Sequence, residues 1–395
     1  MTSPETPGVP ADVWWSCVAE PGDAHARALR LALGDEEARQ WAGAHTPGPL
    51  PEVLTASASW NQWRAAWERW APRGRPGEAE RELEMLDAVG GRLIRPGEPE
   101  WPTGVDDLDQ PPNLLWLRGH LPRRPTAAVV GARAATQVGA RTAHDLGVEL
   151  SHEGVLVVSG GAFGIDIAAH RGALDEGAPT VVHLAGGLAN MYPVAHEDLF
   201  EQVVAQGGAL VSEVPPTWRP AKWRFLERNR LIAAHCHALV VVEAAMRSGA
   251  LATARRAMDL GREVGAVPGP VTSPASGGCH ELIRRGGTLV RDSRDVLEML
   301  APVGGATHDM REVTEPLFGT PVDNDRGTDA LPPDQRRVWE ALPARAGTDL
   351  ARLSRAAGMA PRQVLTALAR LELRGLVRAD PRGWARVRSL PSMGA

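Results

Sequence analysis

Between about residues 96 and 304, short apolar runs alternate with longer amphipathic stretches. The runs at 127–130, 155–158, 180–184, 209–211, 238–242 and 264–267 are near-continuously apolar. That pattern belongs to strands buried on both faces, as in a parallel sheet. The stretches 136–152, 165–176 and 250–260 carry helical periodicity and lie between such runs. The β-α-β-α rhythm predicts an α/β protein with a Rossmann-like, doubly wound, mainly parallel sheet. Ligands of such sheets bind beyond the carboxyl ends of the strands, where loops run into helix N-termini.

The flanks follow a different rhythm. Residues 11–85 read as short helices, and Trp60, Trp63, Trp67 and Trp70 fall on one helical stripe. Four indoles so placed predict a small helical core in preference to a row of ligand-stacking rings. Pro and Gly between 72 and 77 end this all-α unit. After Leu300, residues 302–330 are rich in Gly, Pro, Asp and Thr and read as a linker. A compact tail follows. One helix is predicted over 334–342, a second is capped by Thr348 and runs to Ala357, and a third is opened by Pro361 and stopped by Gly375. The turn Asp380-Pro381-Arg382-Gly383 then separates two short apolar strands. Three helices and a hairpin describe a winged helix, with Arg362, Gln363, Thr366 and Arg370 near one face of the third helix, the usual groove reader. Such modules contact either DNA or protein, and both stay open at this level. The expected organisation is a helical, SAM-like unit over 1–85, the sheet over 86–304, a linker over 305–328 and the winged helix over 329–395.

Composition modifies this picture in two places. The formal net charge of −5 across 395 residues argues mildly against a nucleic-acid partner. The charge is uneven, however. Residues 331–395 hold 12 Arg against 5 Asp or Glu, a local charge of +7, and local fields matter more than the total. Residues 1–12 show neither a basic region nor an apolar stretch, so neither a signal peptide nor a membrane span is expected. Cys17, Cys236 and Cys279 offer no disulfide framework, which fits a cytoplasmic home. His235-Cys236-His237 precedes a buried strand with no second ligand pair, so no metal is expected there.

Candidate chemistry gathers at the predicted strand ends. The first strand ends in Gly131-Ala132-Arg133, where glycine lets backbone approach a phosphate and arginine supplies a fork of donors. A dinucleotide fingerprint is absent, and the single lysine lies elsewhere, so no P-loop exists and an ATPase is excluded. The second strand ends in Ser159-Gly160-Gly161-Ala162-Phe163-Gly164-Ile165-Asp166, whose clustered amides at a helix N-terminus predict an anion site. A hydrolytic triad of Ser159, Asp166 and His170 is a weaker alternative, because the nucleophile elbow is absent. The third feature is 218–230, with five cations, one carboxylate and three aromatic rings, including that lone lysine, Lys222. Cations for phosphates and rings for unpaired bases suit single-stranded nucleic acid, although a solvated helix face has a similar composition. Glu243, Ser248-Gly249 with Thr253, Pro268-Gly269 and Ser276-Gly277-Gly278 fall on the same predicted rim.

Taken in order, these residues resemble the DprA/Smf family, DNA-processing protein A of natural transformation. Gly131-Ala132-Arg133 is similar to the family's Gly-x-Arg, and residues 159–166 to its Ser-Gly-x-Ala-x-Gly-Ile-Asp. Phe225-Leu226-Glu227-Arg228-Asn229-Arg230-Leu231-Ile232-Ala233 resembles Phe-x-x-Arg-Asn-Arg-Ile-Ile-Ala. Gly187 to Tyr192-Pro193, Gly261-Arg262 and Ala266-Val267-Pro268-Gly269 keep the family's order across about 200 residues. The resemblance implies a homodimeric, non-enzymatic protein without cofactor or membrane association. It would bind single-stranded DNA without sequence preference and load a RecA-type recombinase onto it, displacing or bypassing single-strand-binding protein. Duplex DNA on the winged helix is a further partner to test. By position, the resemblance implies that Gly131, Arg133 and the Ser159-Gly160-Gly161-Ala162 amides hold phosphates, that Lys222 pairs with the backbone and Phe225 stacks on a base. Arg228, Asn229 and Arg230 would line the same groove. Ala132 replaces the usual Ser or Thr, and His280 stands where Asn is common. The rival class is a Rossmann-like nucleotide phosphoribohydrolase, which needs a Pro-Gly-Gly-x-Gly-Thr loop. Here Pro268-Gly269 continues as Pro270-Val271-Thr272.

Overall fold

The computed structural model describes residues 8–301, 331–342, 347–380 and 383–387. The chain forms two compact units, residues 1–305 and 306–395. The predicted linker, 305–328, lies outside the described residues.

The first unit begins with six helices: α1 (Ala11–Val18), α2 (Ala24–Leu33), α3 (Asp35–Gly43), α4 (Glu52–Ser57), α5 (Trp60–Trp70) and α6 (Glu78–Ala88). The tryptophan stripe of α5 is core. Trp63 and Trp70 are buried, Trp67 is partly buried, and only Trp60 faces solvent. Each buried indole removes about 150–250 Å² from water, and its N–H needs a partner. Trp63 Nε1 donates to the Leu54 carbonyl at 3.1 Å and Trp70 Nε1 to Asp23 at 3.0 Å. Trp116, Leu184, Phe200 and Leu210 of the sheet region complete this same cluster, so the helices form a layer on the sheet, sharing its core.

Next come β1 (Arg92–Ile94), β2 (Leu115–Gly119), β3 (Thr126–Val130), α7 (Gln137–His152), β4 (Leu156–Ser159), α8 (Ile165–Asp175) and β5 (Thr180–His183). After these follow α9 (Glu197–Ala205), β6 (Ala209–Ser212), α10 (Lys222–His235), β7 (Ala238–Val241) and α11 (Gly249–Asp259). The unit closes with β8 (Glu263–Ala266), α12 (Gly277–Arg284), β9 (Thr288–Leu289) and α13 (Ser293–Leu300). One nine-stranded sheet runs β1-β2-β6-β5-β4-β3-β7-β8-β9. From β6 to β9 every pairing is parallel, and the residues of β3 to β7 are buried throughout. The predicted doubly wound sheet is therefore present. The sequence pattern missed β1, β2 and β9, which are short, and β1 and β2 extend the β6 edge antiparallel. Strand order reverses between β3 and β7, and that switch point is where such sheets open a crevice.

The second unit contains α14 (Pro333–Ala341), α15 (Leu350–Ala357), α16 (Pro361–Leu373) and the antiparallel pair β10 (Val377–Asp380) and β11 (Gly383–Arg386). This is the winged-helix arrangement, although residues 381–382 of the predicted turn lie outside the described residues. One detail differs. Asp349, whose carboxylate accepts from the Arg352 amide at 2.8 Å, caps α15. Thr348 instead bridges Trp384 through two backbone hydrogen bonds, because its amide and carbonyl extend the hairpin.

Candidate functional site

A cavity of about 590 Å³ opens at the switch point. Gly131, Arg133, Ala162, Lys222, Phe225, Arg228 and Asn229 line it, with Ser248 and Thr253 opposite. The loop after β3 is held by Glu243, whose carboxylate accepts the Thr136 amide at 2.9 Å and its hydroxyl at 2.5 Å. Thr136 itself caps α7 by accepting from the Gly139 amide at 3.0 Å. With its loop so anchored, Arg133 projects into solvent, its guanidinium 4.7 Å from the centre of the Phe225 ring. Tyr192 meets the same ring edge-on at 5.7 Å. Trp223 and Leu226 are exposed beside it, 57% and 58% accessible, and line the same cavity. Lys222 opens α10 from an exposed position. Among the described residues, Lys222 and Arg133 form no ion pair with a carboxylate. Ser248 caps α11, so a second helix N-terminus also faces the cavity and adds a partial positive charge.

Asp166, the last residue of the predicted anion turn after β4, is buried, and its carboxylate is favoured by the nearby Ala162 and Gly160 amides. Burial pushes the Asp166 carboxyl above its ordinary range, opposed by nearby Arg228, the two amides and Arg133. Ser159 is buried and donates to the Val129 carbonyl at 2.6 Å. His170 pairs with Thr180 at 2.8 Å. Ser159 and His170 thus face different partners, and the triad geometry is not formed. Gly164 has φ of +80°, and a Cβ there would sit 2.2 Å from the Ala132 carbonyl, so only glycine lets the two loops close on each other.

The cations of 218–230 separate into two groups. Arg228 is buried, and its guanidinium donates to the Gly160 carbonyl at 2.7 Å and to the His183 carbonyl. It ties α10 to the ends of β4 and β5, and burial lowers its pKa to about 10. A Cβ on Gly160 would collide with that guanidinium at 2.5 Å. Arg230 points elsewhere. It pairs with Glu213 at 2.5 Å, donates to the Gln110 carbonyl at 2.8 Å and does not reach the cavity. Arg224 is likewise buried and pairs with Glu20 at 2.8 Å. Asn229 lines the cavity while accepting from Arg228 Nε at 3.2 Å.

The family model for DNA recombination-mediator protein A matches residues 92–301, more than half of the chain, and a DprA winged helix domain matches 323–383. The chain belongs to the DNA recombination-mediator protein A family. Among relatives, "Putative DNA processing protein DprA" of Mycobacterium tuberculosis is 44% identical over 325 residues, 78% of this chain and 80% of the relative. "Protein Smf" of Escherichia coli is 37% identical over 314 residues, 78% and 81% of the two chains. The X-ray structure of DNA processing protein A from Streptococcus pneumoniae matches with a TM-score of 0.57 and 30% identity, covering 73% of this chain and 95% of that one.

Within this family member the cavity gathers Gly131, Arg133, Ala162, Lys222, Phe225, Arg228 and Asn229 of the residues expected at the site. Ser159, Gly160, Gly161 and Arg230 are not among its lining. Tyr192, of the Tyr-Pro pair, and Glu243, the anchor of the loop after β3, have roles that no local sequence pattern assigns. His280, at the Asn position, binds the Gly269 carbonyl at 2.9 Å and so serves the loop. In the winged helix, Arg362, Gln363, Thr366 and Arg370 are all exposed on α16. Gln363 accepts from the Ala360 amide at 3.1 Å and Thr366 donates to the Arg362 carbonyl at 3.0 Å, leaving the two arginines as the outward donors of that face. His235 and His183 pair at 3.0 Å, and His237 accepts from the Thr126 amide at 3.2 Å.

Proposed function

We propose that this protein grips single-stranded DNA in the switch-point cavity and loads a RecA-type recombinase onto it. The observation that carries the reading is the pairing of Arg133 with Phe225 beside exposed Lys222 at the mouth of the crevice. An aromatic face that takes any base, flanked by cations that pair with no carboxylate among the described residues, binds single strands without reading sequence. Arg133 and Lys222 take phosphates, Phe225 takes a base, and Asn229 offers its amide. With the Asp166 carboxylate close to them, the Gly160 and Ala162 amides contribute by fixing the loop. Arg228 and Arg230 serve as structural struts. The reading includes a homodimer in the cytoplasm, working against single-strand-binding protein, and no chemical step. Among the described residues no helix is long and apolar enough to cross a membrane, and the three cysteines are free and buried.

Arg133→Ala and Lys222→Ala are each expected to weaken binding to every single strand alike and to flatten the salt slope by about 0.7 per lost phosphate contact. Phe225→Ala should cost about 1–3 kcal/mol with the salt slope unchanged. Fluorescence anisotropy with labelled oligonucleotides across a salt series measures all three. Normal binding by the Phe225 variant would refute stacking. Recombinase filament formation on strands precoated with single-strand-binding protein tests loading, and release of free base from nucleoside monophosphates would favour the enzyme reading. For the winged helix, an Arg362→Ala, Arg370→Ala double variant should lose duplex affinity while keeping single-strand affinity. Equal duplex binding would assign that face to protein contact.

A further inference from the structure

The segment 213–221, between β6 and α10, decides where the first turn of α10 begins. One side of it is fixed by the sheet's own loop. The Gly187 amide donates to the Trp218 carbonyl at 2.8 Å, and Asn190 Nδ2 to the Thr217 carbonyl at 2.7 Å. The other side is fixed entirely by the helical layer. Buried Glu82 of α6 accepts the Thr217 amide at 2.9 Å and also its hydroxyl. Glu20, in the turn after α1, accepts from Arg224 Nε at 3.0 Å and Nη2 at 2.8 Å, and from Arg73 Nη2 at 2.6 Å. The Arg73 and Arg224 guanidinium groups lie 4.4 and 4.5 Å from the centre of the Trp218 ring.

We infer that Glu20, Arg73 and Glu82 are positioning residues for the nucleic-acid grip, and that the N-terminal helical layer works as its brace. The inference rests on the single-strand reading above. None of the three residues lines the switch-point cavity. They act through Thr217, Trp218 and Arg224, which fix the start of α10 and hence the places of Lys222, Trp223 and Phe225. With the brace cut, the first turn is held from one side only. Binding must then order it, and that cost appears as lost affinity without the loss of a phosphate contact.

The test uses the full-length protein and a labelled oligo-dT strand. Glu20→Gln and Arg73→Gln are expected to weaken binding about 5–10-fold with an unchanged salt slope, since the loss is of preorganisation. Arg73→Lys, which keeps a cation near Glu20, should retain most of the affinity. Arg30→Ala, which breaks the Arg30–Asp35 pair at 2.7 Å elsewhere in the helical layer, should bind normally. In a Lys222→Ala background, Glu20→Gln should add less than about a twofold loss, because both changes act at one helix start. Full affinity of Glu20→Gln, with Lys222→Ala impaired, overturns the brace alone. Equal losses in Glu20→Gln and Arg30→Ala overturn it too, since general loosening would then suffice. Unimpaired Lys222→Ala and Phe225→Ala overturn the single-strand reading of this cavity, and the brace with it.

Discussion

Arg228→Ala is expected to destabilise the first unit by about 3–5 kcal/mol, the usual result of removing one partner from a buried charge network. The guanidinium is buried and serves the Gly160 and His183 carbonyls while facing Asp166. Alanine leaves two carbonyls short of a donor and a buried carboxylate near which, among the described residues, Arg133 is the remaining cation. Urea unfolding followed by tryptophan fluorescence reads the effect, and an unchanged midpoint would remove Arg228 from the scaffold. A double variant, Arg228→Met with Asp166→Asn, should recover part of the loss, because the unpaired charge goes with its partner. Single-strand affinity should fall together with stability in Arg228→Ala, whereas Lys222→Ala should lose affinity at constant stability.

Acidification from pH 7 to 5 should destabilise the same unit, with His170 and His235 contributing about 2 kcal/mol each. Burial, aided by Arg228 and His196, lowers the His170 pKa to about 3, and burial with His237 lowers His235 to about 4. The hydrogen bonds around His170 show why burial acts so strongly on it. Thr180 donates its hydroxyl to the Val157 carbonyl at 2.7 Å, so His170 Nδ1 must donate to Thr180. Among the described residues its buried Nε2 has no hydrogen-bond partner, and protonation there would strand a charge. The unfolded histidine takes a proton near pH 6.5 while the folded one resists it. Stability is therefore complete above pH 6.5 and lost as pH falls below it. His183, held well below its ordinary range mainly by burial, acts in the same sense. Asp166, raised by burial, acts in the opposite sense at lower pH. Comparison with His170→Gln isolates the histidine. The variant's stability should fall less steeply below pH 6 by about 1.4 kcal/mol per pH unit, and an identical pH profile would refute the assignment.

The 218–230 run shows how far a sequence can carry such a site. Five cations and three rings suit a nucleic-acid surface and a solvated helix face alike by composition, yet identical arginines in one helix have different fates. Lys222 stays at the surface, whereas Arg224, Arg228 and Arg230 turn towards Glu20, the strand-end carbonyls and Glu213. Those partners lie as many as 204 residues away in sequence, and no local pattern encodes them. The turn at 159–166 behaves in the same way. Its spacing suggests an anion nest, but only the fold brings the buried Asp166 carboxylate close to its amides.

Near-continuous apolar strands, helical periodicity and glycine punctuation were enough to determine the doubly wound sheet and the winged helix, and to put the candidate residues at the carboxyl ends of strands. These features depend on local repeat and on burial of whole elements, which apolar spacing records directly. The tertiary structure decided which charges face solvent and which neutralise one another. It also decided that the helical layer shares the sheet's core and grips the start of α10. Desolvation makes that sorting. A cation drawn into the interior must find a carboxylate or carbonyl on another element, and only the folded chain brings those partners together.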